Sequence, residues 1–252
     1  MDSSQSGYVR FMLGHVTLRT SDVPRATVLL NALLAELGHE PQADDDEYID
    51  WGNFGIAAAG LRGRGLTTNV HVGLLAGSRE AVDRFHARGL ELGCEDDGAP
   101  GPRPQYAPDY YGGFLRTFDG WSIEAVHGDT GGGAVHHIAL GTADLEAARP
   151  LMRALADALG WEVRADVPGN FRIGADDDVR LSLFDGRPVS QNVHFGFLVD
   201  SVDDVHRIHE QLLAAGWADD GAPGPRPEYS EGYYGGFLTG PDGNSYEAFT
   251  RV

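Results

Sequence analysis

Hydrophobic and polar residues alternate over short stretches of the chain, and amphipathic or turn-forming segments separate these stretches. HVTLRT, which begins at His15, has apolar side chains at every second position, as expected of a strand with one buried face. Residues 24–38 carry apolar residues at helical spacing, with Asp22 suited to the N-cap and Gly38 to the end of a helix. Short strands are predicted over residues 48–59, so the pattern indicates a βαβββ module.

The same order of elements returns from residue 69 onward. NVHVGLL predicts a strand, and Ser78 is a suitable N-cap for a helix that ends near Leu92. YYGGFLRT and WSIEAV then predict two strands joined by a hairpin turn at Phe118-Asp119-Gly120. We therefore expect two such modules in each half of the chain and four in all.

An internal repeat defines the two halves. Residues 69–126 return as residues 192–249 at a constant offset of 123 without a gap, and 32 of the 58 aligned residues are identical. HVTLRTSD likewise returns as HIALGTAD, which begins at His137. The repeat predicts a first domain at residues 1–127 and a second at 134–252, with a glycine-rich linker at about 128–133.

Composition and charge narrow the possible functions. The 252 residues carry a net charge of −19, which disfavours binding to nucleic acid or to an anionic membrane. All 19 basic residues are arginine, so chemistry that needs a lysine Schiff base or a P-loop lysine is excluded. The single cysteine, Cys94, cannot form an internal disulfide, and the sequence has neither a membrane span nor a secretory signal pattern. A cytoplasmic location is expected.

Strand periodicity places histidines and glutamates on the polar faces of predicted strands. Each set contains a histidine that opens a strand, a second histidine beside a glycine, and a glutamate in the middle of the last strand. A mid-strand carboxylate among apolar residues needs a partner, because an unpaired buried charge is costly. The two sets are His15, His71 and Glu124 in the first half, and His137, His194 and Glu247 in the second.

Two imidazoles and one carboxylate from separate strands form a 2-His-1-carboxylate site for a divalent metal that leaves coordination positions open. Because the pattern occurs twice in matching register, we interpret all six residues as metal ligands, and the four histidines among them not as ordinary core residues. The spacing leaves one alternative open. Each triad can assemble within its own half, or the halves can exchange ligands, for example with His15 joining His194 and Glu247.

These residues and motifs resemble those of the vicinal oxygen chelate superfamily, which includes glyoxalase I, extradiol dioxygenases, and fosfomycin- and bleomycin-resistance proteins. The resemblance lies in the strand-opening histidines of HVTLRTSDVPRA and HIALGTADLEAA, the histidines of NVHVGLL and NVHFGFL, and the ending PDGNSYE. It implies an α+β fold in which four βαβββ modules form two tandem domains with U-shaped mixed sheets. It also implies metal binding by the three matching positions in each half. The stretches WGNFGIAAAG and VRLSLFDG lack the additional glutamate of a glyoxalase I site.

Further candidates lie in the repeated segment DDGAPGPRPxY and in the strand after it. Arg103 and Arg226 can bind a substrate carboxylate from this rigid loop. If a two-residue turn at Asp242-Gly243 sets the register, Tyr234 shares the face of Glu247, and Tyr111 is its counterpart in the first half. These two tyrosines are therefore predicted to act as acids or hydrogen-bond donors. His136 is expected to point away from the face of His137.

The resulting prediction is a metal-dependent enzyme that chelates a small vicinal-oxygen substrate, with dioxygenase-like or glyoxalase-like lyase or isomerase chemistry. The expected cofactor is a divalent ion: Fe²⁺, Mn²⁺, Zn²⁺, Ni²⁺ or Co²⁺. The expected partner is a small molecule, and the chain is expected to be a pseudo-dimeric monomer or a homodimer. The alternative is a non-catalytic protein that sequesters a small molecule or an antibiotic.

Overall fold

The computed structural model describes residues 11–44, 48–128, 133–175 and 180–252. Four successive βαβββ modules make up this part of the chain, as predicted. Most of the predicted linker falls outside the described residues. No helix among the described residues is long and apolar enough to span a membrane.

The first two modules lie in the first half of the chain. Module 1 comprises β1 (Met12–Thr20), α1 (Val23–Glu36), β2 (Ala43–Asp44), β3 (Tyr48–Trp51) and β4 (Phe54–Ala58). Module 2 comprises β5 (Val70–Ala76), α2 (Arg79–Glu91), β6 (Glu95–Pro102), β7 (Tyr111–Arg116) and β8 (Ser122–His127).

The last two modules repeat this order. Module 3 comprises β9 (Val135–Gly141), α3 (Leu145–Leu159), β10 (Glu162–Val167), β11 (Asn170–Gly174) and β12 (Arg180–Phe184). Module 4 comprises β13 (His194–Leu198), α4 (Val202–Ala214), β14 (Ala218–Pro225), β15 (Tyr233–Thr239) and β16 (Ser245–Arg251).

Each helix begins at a short polar residue whose side chain accepts a hydrogen bond from a backbone N–H three residues later. This N-cap satisfies one of the donors that a helix N-terminus leaves without a partner. The expected caps are confirmed at Asp22 and Ser78, and equivalent caps lie at Asp144 and Ser201. Gly38 follows α1 with a φ of 85°, a left-handed conformation that favours glycine.

The strands form two mixed sheets of eight strands each. Sheet 1 has the order β14-β15-β16-β13-β1-β4-β3-β2, and sheet 2 has the order β10-β11-β12-β9-β5-β8-β7-β6. Modules 1 and 4 therefore share sheet 1, whereas modules 2 and 3 share sheet 2. The predicted division into residues 1–127 and 134–252 follows the sequence repeat. Each sheet combines one module from the first range with one module from the second.

Antiparallel pairing joins the modules within each sheet. In sheet 1, β1 pairs with β13, and in sheet 2, β5 pairs with β9. The alternation of side chains predicted for these strands is present: Val70, Val72 and Leu74 are buried, whereas His71 is half-buried on the opposite face. The apolar faces of the strands contribute to the hydrophobic core with the helices, and the polar faces carry the candidate site residues.

The segments between modules 1 and 2 and between modules 3 and 4 cross each other. The Thr67 hydroxyl donates to the backbone oxygen of Asn192 at 2.7 Å, and the Ser190 hydroxyl donates to that of Asn69 at 2.6 Å. Asn69 and Asn192 have φ values of 54° and 60°, a left-handed conformation that asparagine tolerates better than most residues. These reciprocal bonds join the point where the chain leaves sheet 1 to the point where it returns.

Asn244 ties this crossing to the last hairpin, and its loss should destabilise the fold. Its buried side-chain amide accepts from the Val193 N–H and donates to the Ser190 oxygen, each at 3.0 Å. We expect Asn244→Ala to lower the free energy of unfolding by about 2–4 kcal/mol, because buried backbone groups lose their partners. Urea denaturation measures this change.

Asn170→Ala is the matched control, because its half-buried amide makes one bond, to the Leu183 oxygen within module 3. It should cost about 1 kcal/mol. If Asn244→Ala and Asn170→Ala lower the free energy of unfolding equally, the bonds of Asn244 to the crossing segments do not make the predicted contribution to stability.

Candidate metal centres

Two clusters of ionisable side chains lie on the polar faces of the sheets. Site 1 comprises His15, His194 and Glu247, and site 2 comprises His71, Glu124 and His137. In each cluster the potential ligand atoms lie within 4.8 Å of one another. Site 1 takes His15 from the first half of the chain and its other two residues from the second half, whereas site 2 takes His137 from the second half and its other two residues from the first. The triads are therefore of the exchanged type.

Strand register explains how the three residues of site 1 meet. Gly196 of β13 lies opposite His15 of β1 on one side and opposite Glu247 of β16 on the other. His194 is two residues before Gly196 on the same face of β13. The three side chains therefore converge over a glycine.

Gly73 has the same place in site 2, between His137 and Glu124. A Cβ atom at Gly73 would lie 2.2 Å from Cε1 of His137, and a Cβ atom at Gly196 would lie 2.2 Å from Cε1 of His15. Only glycine leaves room for these imidazoles. The glycine beside each second histidine, apparent in the sequence, is thus part of the site geometry.

The donor atoms of site 2 form a compact triangle. His71 Nε2 lies 3.0 Å from His137 Nε2 and 3.2 Å from Glu124 Oε2, and His137 Nε2 lies 3.5 Å from the same carboxylate oxygen. Donors bound at about 2.1 Å in adjacent positions of an octahedral ion are about 3 Å apart. These separations therefore fit three ligands on one face of a divalent ion.

Site 1 has the same inner donors with wider spacing to the carboxylate. His15 Nε2 lies 3.0 Å from His194 Nε2, while Glu247 oxygens lie 4.0 Å from His15 Nε2 and 3.7 Å from His194 Nε2. Small movements of the carboxylate would bring this triad to the spacing of site 2.

Burial favours the neutral form of three site histidines: His15, His137 and His194. Burial, with a smaller contribution from Arg251, lowers the pKa of His15 to about 4. Burial also lowers the pKa of His194 and of His137 well below the usual value for histidine. The Nε2 atoms of two neutral imidazoles face each other and a carboxylate oxygen. These atoms need a proton or a cation between them, and neutral imidazole is the form of histidine that binds a metal.

The carboxylates are the most buried members of the sites. Glu124 is 1% exposed and Glu247 is 2% exposed. Burial raises the pKa of Glu247 to about 8, although its hydrogen bond with Tyr233 acts in the opposite direction. A cation in the triad would offset this desolvation, so the donor set and its burial fit a divalent metal.

Outer hydrogen bonds hold the candidate ligands in place. The Nδ1 atom of His71 lies 3.0 Å from the Ser122 hydroxyl, and that of His194 lies 3.1 Å from the Ser245 hydroxyl. With Nδ1 protonated and bonded to serine, Nε2 presents a lone pair to the site. These serines lie two residues before the ligand glutamates, on the same face.

Two tyrosines bind the ligand carboxylates directly. The Tyr110 hydroxyl donates to Glu124 Oε1 at 2.9 Å, and the Tyr233 hydroxyl donates to Glu247 Oε1. Burial, reinforced by the neighbouring carboxylate, raises the pKa of each phenol well above its usual range. Each phenol therefore stays protonated and occupies one carboxylate oxygen. At site 2 this leaves Oε2 of Glu124 to face both imidazoles.

The prediction that Tyr234 shares the face of Glu247 is wrong. Five residues, 240–244, separate the paired Thr239 and Ser245, so the turn is longer than the two-residue turn assumed from the sequence. The register shifts by one, and Phe237 rather than Leu238 lies opposite Glu247.

The same shift applies to Tyr111 in the first half. Its hydroxyl donates to Asp83 at 2.7 Å, whereas the Tyr234 hydroxyl lies 2.9 Å from His206 Nε2. The structure thus brings neither predicted tyrosine into a triad. The neighbouring Tyr110 and Tyr233 were missed because the sequence does not reveal the loop length of the hairpin.

The loop arginines lie behind the triads. The guanidinium of Arg103 donates to the Ala99 oxygen at 2.6 Å and lies over the ring of Phe114. That ring in turn stacks on His71, with a centroid distance of 5.9 Å. Arg226 has the equivalent arrangement over Phe237 in sheet 1. Both guanidiniums are separated from the triads by a phenylalanine ring, and their part in substrate binding remains a prediction.

His136 is an additional residue at site 2. The register shifts between the pairs of Gly73 with His137 and of Leu74 with Val135, so His136 is the extra residue of a β-bulge. Its Nδ1 lies 2.9 Å from Nδ1 of His137, which corrects the expectation that it points away. The equivalent extra residue of β1 is Gly14, so this histidine pair is specific to site 2.

Site 2 opens into a cavity of about 670 Å³. The three ligands, Tyr110 and His136 form one part of its wall. Polar and basic side chains of β11, β12 and the following loop form another part: Arg172, Arg180, Ser182 and Arg187. This volume suits a small-molecule ligand.

The glycines under the imidazoles provide a test that leaves every ligand in place. We expect Gly196→Ala to displace His15 and to weaken metal binding at site 1 by about tenfold to a hundredfold. Titration with Mn²⁺, followed by the EPR signal of the free ion, should then give one tight equivalent instead of two.

Gly73→Ala is the matched variant and should weaken site 2 while it leaves site 1 unchanged. The double variant should lose both tight equivalents. Two undiminished equivalents in either single variant would contradict the packing of imidazole on glycine.

Comparison with known proteins agrees with this geometry. Residues 134–248 match the model of the Glyoxalase/Bleomycin resistance protein/Dioxygenase superfamily. No curated protein matches the sequence. Glyoxalase I from Zea mays superposes with a TM-score of 0.66 at 17% identity, covering 95% of this chain and 92% of its own.

A proposed dioxygenase from Bacillus subtilis has the same TM-score of 0.66 at 10% identity, covering 96% of this chain and 86% of its own. At these identities the two structures show a shared fold. Residues 134–248 therefore form a domain of the Glyoxalase/Bleomycin resistance protein/Dioxygenase superfamily, and the first half of the chain repeats the same order of modules.

Proposed function

We propose that this protein is a divalent-metal-dependent enzyme that chelates a small substrate through two neighbouring oxygen atoms at its 2-His-1-Glu sites. The convergence of two imidazole Nε2 atoms and one buried carboxylate oxygen at site 2, 3.0–3.5 Å apart, carries the proposal. A three-ligand set on one face of an ion leaves positions open for a bidentate substrate. The expected ion is Fe²⁺, Mn²⁺, Zn²⁺, Ni²⁺ or Co²⁺.

The bound ion would supply Lewis-acid stabilisation of negative charge on the substrate oxygens. The residues of the chain hold its ligands in the required protonation states. Ser122 orients His71 through Nδ1, and Tyr110 holds one oxygen of Glu124 so that the other faces the imidazoles. The His136–His137 bond fixes the third ligand: with Nε2 of His137 unprotonated, its Nδ1–H donates to Nδ1 of His136.

The reaction is dioxygenase-like or a lyase or isomerase reaction of the glyoxalase kind, because both kinds need oxyanion stabilisation at an open divalent site. Sequestration of a small molecule without turnover is the second candidate. The cavity of about 670 Å³ favours this second candidate, because a cavity of that volume can hold a small molecule with or without a metal. The two candidates differ in their dependence on the metal.

Chelation by acetohydroxamate tests the proposal without knowledge of the natural substrate. In the Co²⁺-loaded protein, this bidentate ligand should change the visible absorption spectrum of the ion, because open positions accept its two oxygens. A panel of reactions then tests turnover: oxygen uptake with catechol, and isomerisation of the hemithioacetal of methylglyoxal and glutathione.

Any activity found should disappear with EDTA and should fall at least about a hundredfold in His71→Ala or His194→Ala, according to which site supports it. His127→Ala is the control, since this exposed histidine at the end of β8 belongs to neither site. Two results would contradict the proposal and favour sequestration: the protein binds no divalent ion, or acetohydroxamate leaves the Co²⁺ spectrum unchanged.

A further inference from the structure

The cavity at site 2 carries a positive charge that contrasts with the rest of the molecule. The chain has a net charge of −19, yet four arginines line this cavity, and among the described residues Glu124, a proposed ligand of the triad, is the only acidic one that does so. One of the four, Arg116, is neutralised by Asp97, whose two oxygens it binds at 2.8 and 2.9 Å. The other three, Arg172, Arg180 and Arg187, are named here the arginine wall.

Strand pairing places the arginine wall beside the triad. Arg180 of β12 lies directly opposite His137 of β9, and Arg172 of β11 lies opposite Ser182, one strand farther away. Side chains at directly paired positions share a face of the sheet, and neighbouring strands are about 4.8 Å apart. The guanidiniums therefore line the same face as the metal ligands, one and two strands away from them.

Local contacts hold the arginine wall without neutralising it. The Nε of Arg172 donates to the Ser182 hydroxyl at 3.0 Å, and the guanidinium of Arg187 lies 3.8 Å from the ring centroid of Phe184. None of the three arginines forms an ion pair with a carboxylate of the described residues. Burial, followed by the charge of Arg180, lowers the pKa of Arg172, as expected of two guanidiniums that lie near each other.

The fold itself does not require this charge. In sheet 1 the position equivalent to Arg172 is occupied by Asp50, which lies opposite Gly55 of β4, whereas Arg172 lies opposite Ser182 of β12. The same framework thus carries opposite charges at one register position. Folding therefore does not explain why a cluster of arginines lines this cavity. An anionic ligand that the guanidiniums bind would explain it.

We infer that the arginine wall binds an oxyanion of the substrate, a carboxylate or a phosphate, while the vicinal oxygens of the same molecule occupy the triad of site 2. This inference rests on the proposed function for the chelating part of the substrate, and adds the anionic part. The arginine wall lies one to two strands from His137. The oxyanion of the substrate and its vicinal oxygens are therefore separated by about 5–10 Å. The substrate class is a small vicinal-oxygen compound with an acidic tail.

A matched pair of hydroxamates tests the inference. Succinic monohydroxamate carries a chelating head and a carboxylate, and the hydroxamate of succinamide has the same shape with a neutral amide. Both are titrated into Co²⁺-loaded, full-length protein with His194→Ala, so that site 2 holds the ion. We expect the acid to bind at least about tenfold more tightly than the amide, with a difference that shrinks at high salt.

The double variant Arg172→Gln/Arg180→Gln in the same protein should abolish the preference for the acid while binding of the amide is retained. Arg153→Gln is the control, because this exposed guanidinium pairs with Asp166 at 2.7 Å and should leave the preference intact. Equal binding of acid and amide by the protein without these arginine changes would overturn the inference and would leave the proposed function standing.

Failure of both hydroxamates to change the Co²⁺ spectrum would instead contradict the proposed function. In that case inorganic phosphate, titrated into the metal-free protein by calorimetry, decides the inference separately. Binding that is lost in Arg172→Gln/Arg180→Gln supports an oxyanion site, and absence of binding overturns it.

Discussion

The antiparallel pairing of β1 with β13, and of β5 with β9, is the constraint on which both candidate centres depend. Within one module, parallel strands bring the second histidine beside the glutamate, as β13 and β16 do for His194 and Glu247. The third ligand reaches them only through a strand from the other half of the chain. Neither half alone contains a complete triad, so the sites require both halves to pack together.

The crossing segments between modules are consistent with this arrangement. Their reciprocal hydrogen bonds, between Thr67 and Asn192 and between Ser190 and Asn69, join two segments that each pass from one sheet to the other. The repeated sequence thus folds into a pseudo-symmetric pair of sheets. Each sheet has the same inner ligand positions at its centre.

The surroundings of the two triads have diverged while the inner donors have stayed the same. Site 2 has His136 beside a ligand where site 1 has Gly14, and Arg172 where site 1 has Asp50. The hydrogen bond from tyrosine to the ligand carboxylate occurs at both sites. Features common to both sites therefore surround the candidate metal ligands themselves. Features found at one site alone belong to the adjoining part of its surroundings.

Much of this structure follows from local rules that the sequence displays. Period-two alternation identifies the strands and the polar faces of His71 and Glu124, and the N-caps at Asp22 and Ser78 locate the helix starts. These patterns depend on neighbouring residues alone. The repeat adds the matching register that identifies all six candidate ligands, although it does not show how they group into triads.

Long-range pairing could not be predicted in the same way. Two halves with similar strands permit internal or exchanged pairing, and the choice depends on contacts between residues far apart in sequence. Loop length and a bulge each changed a register by one residue, which replaced Tyr234 by Tyr233 and brought His136 to His137. A shift of one residue reverses the face of every side chain, so small irregularities decide which polar groups reach the site.

Metal content in paired ligand variants tests most directly whether each ion is held by residues from both halves. The wild-type protein, loaded with Mn²⁺ and freed of excess ion, should contain two equivalents, and His15→Ala/Glu247→Ala should retain one because both ligands belong to site 1. His15→Ala/Glu124→Ala should retain none, because it removes a ligand from each site. The opposite result, one equivalent in His15→Ala/Glu124→Ala and none in His15→Ala/Glu247→Ala, would contradict the exchanged triads, and absence of metal from the wild-type protein would contradict the metal centres themselves.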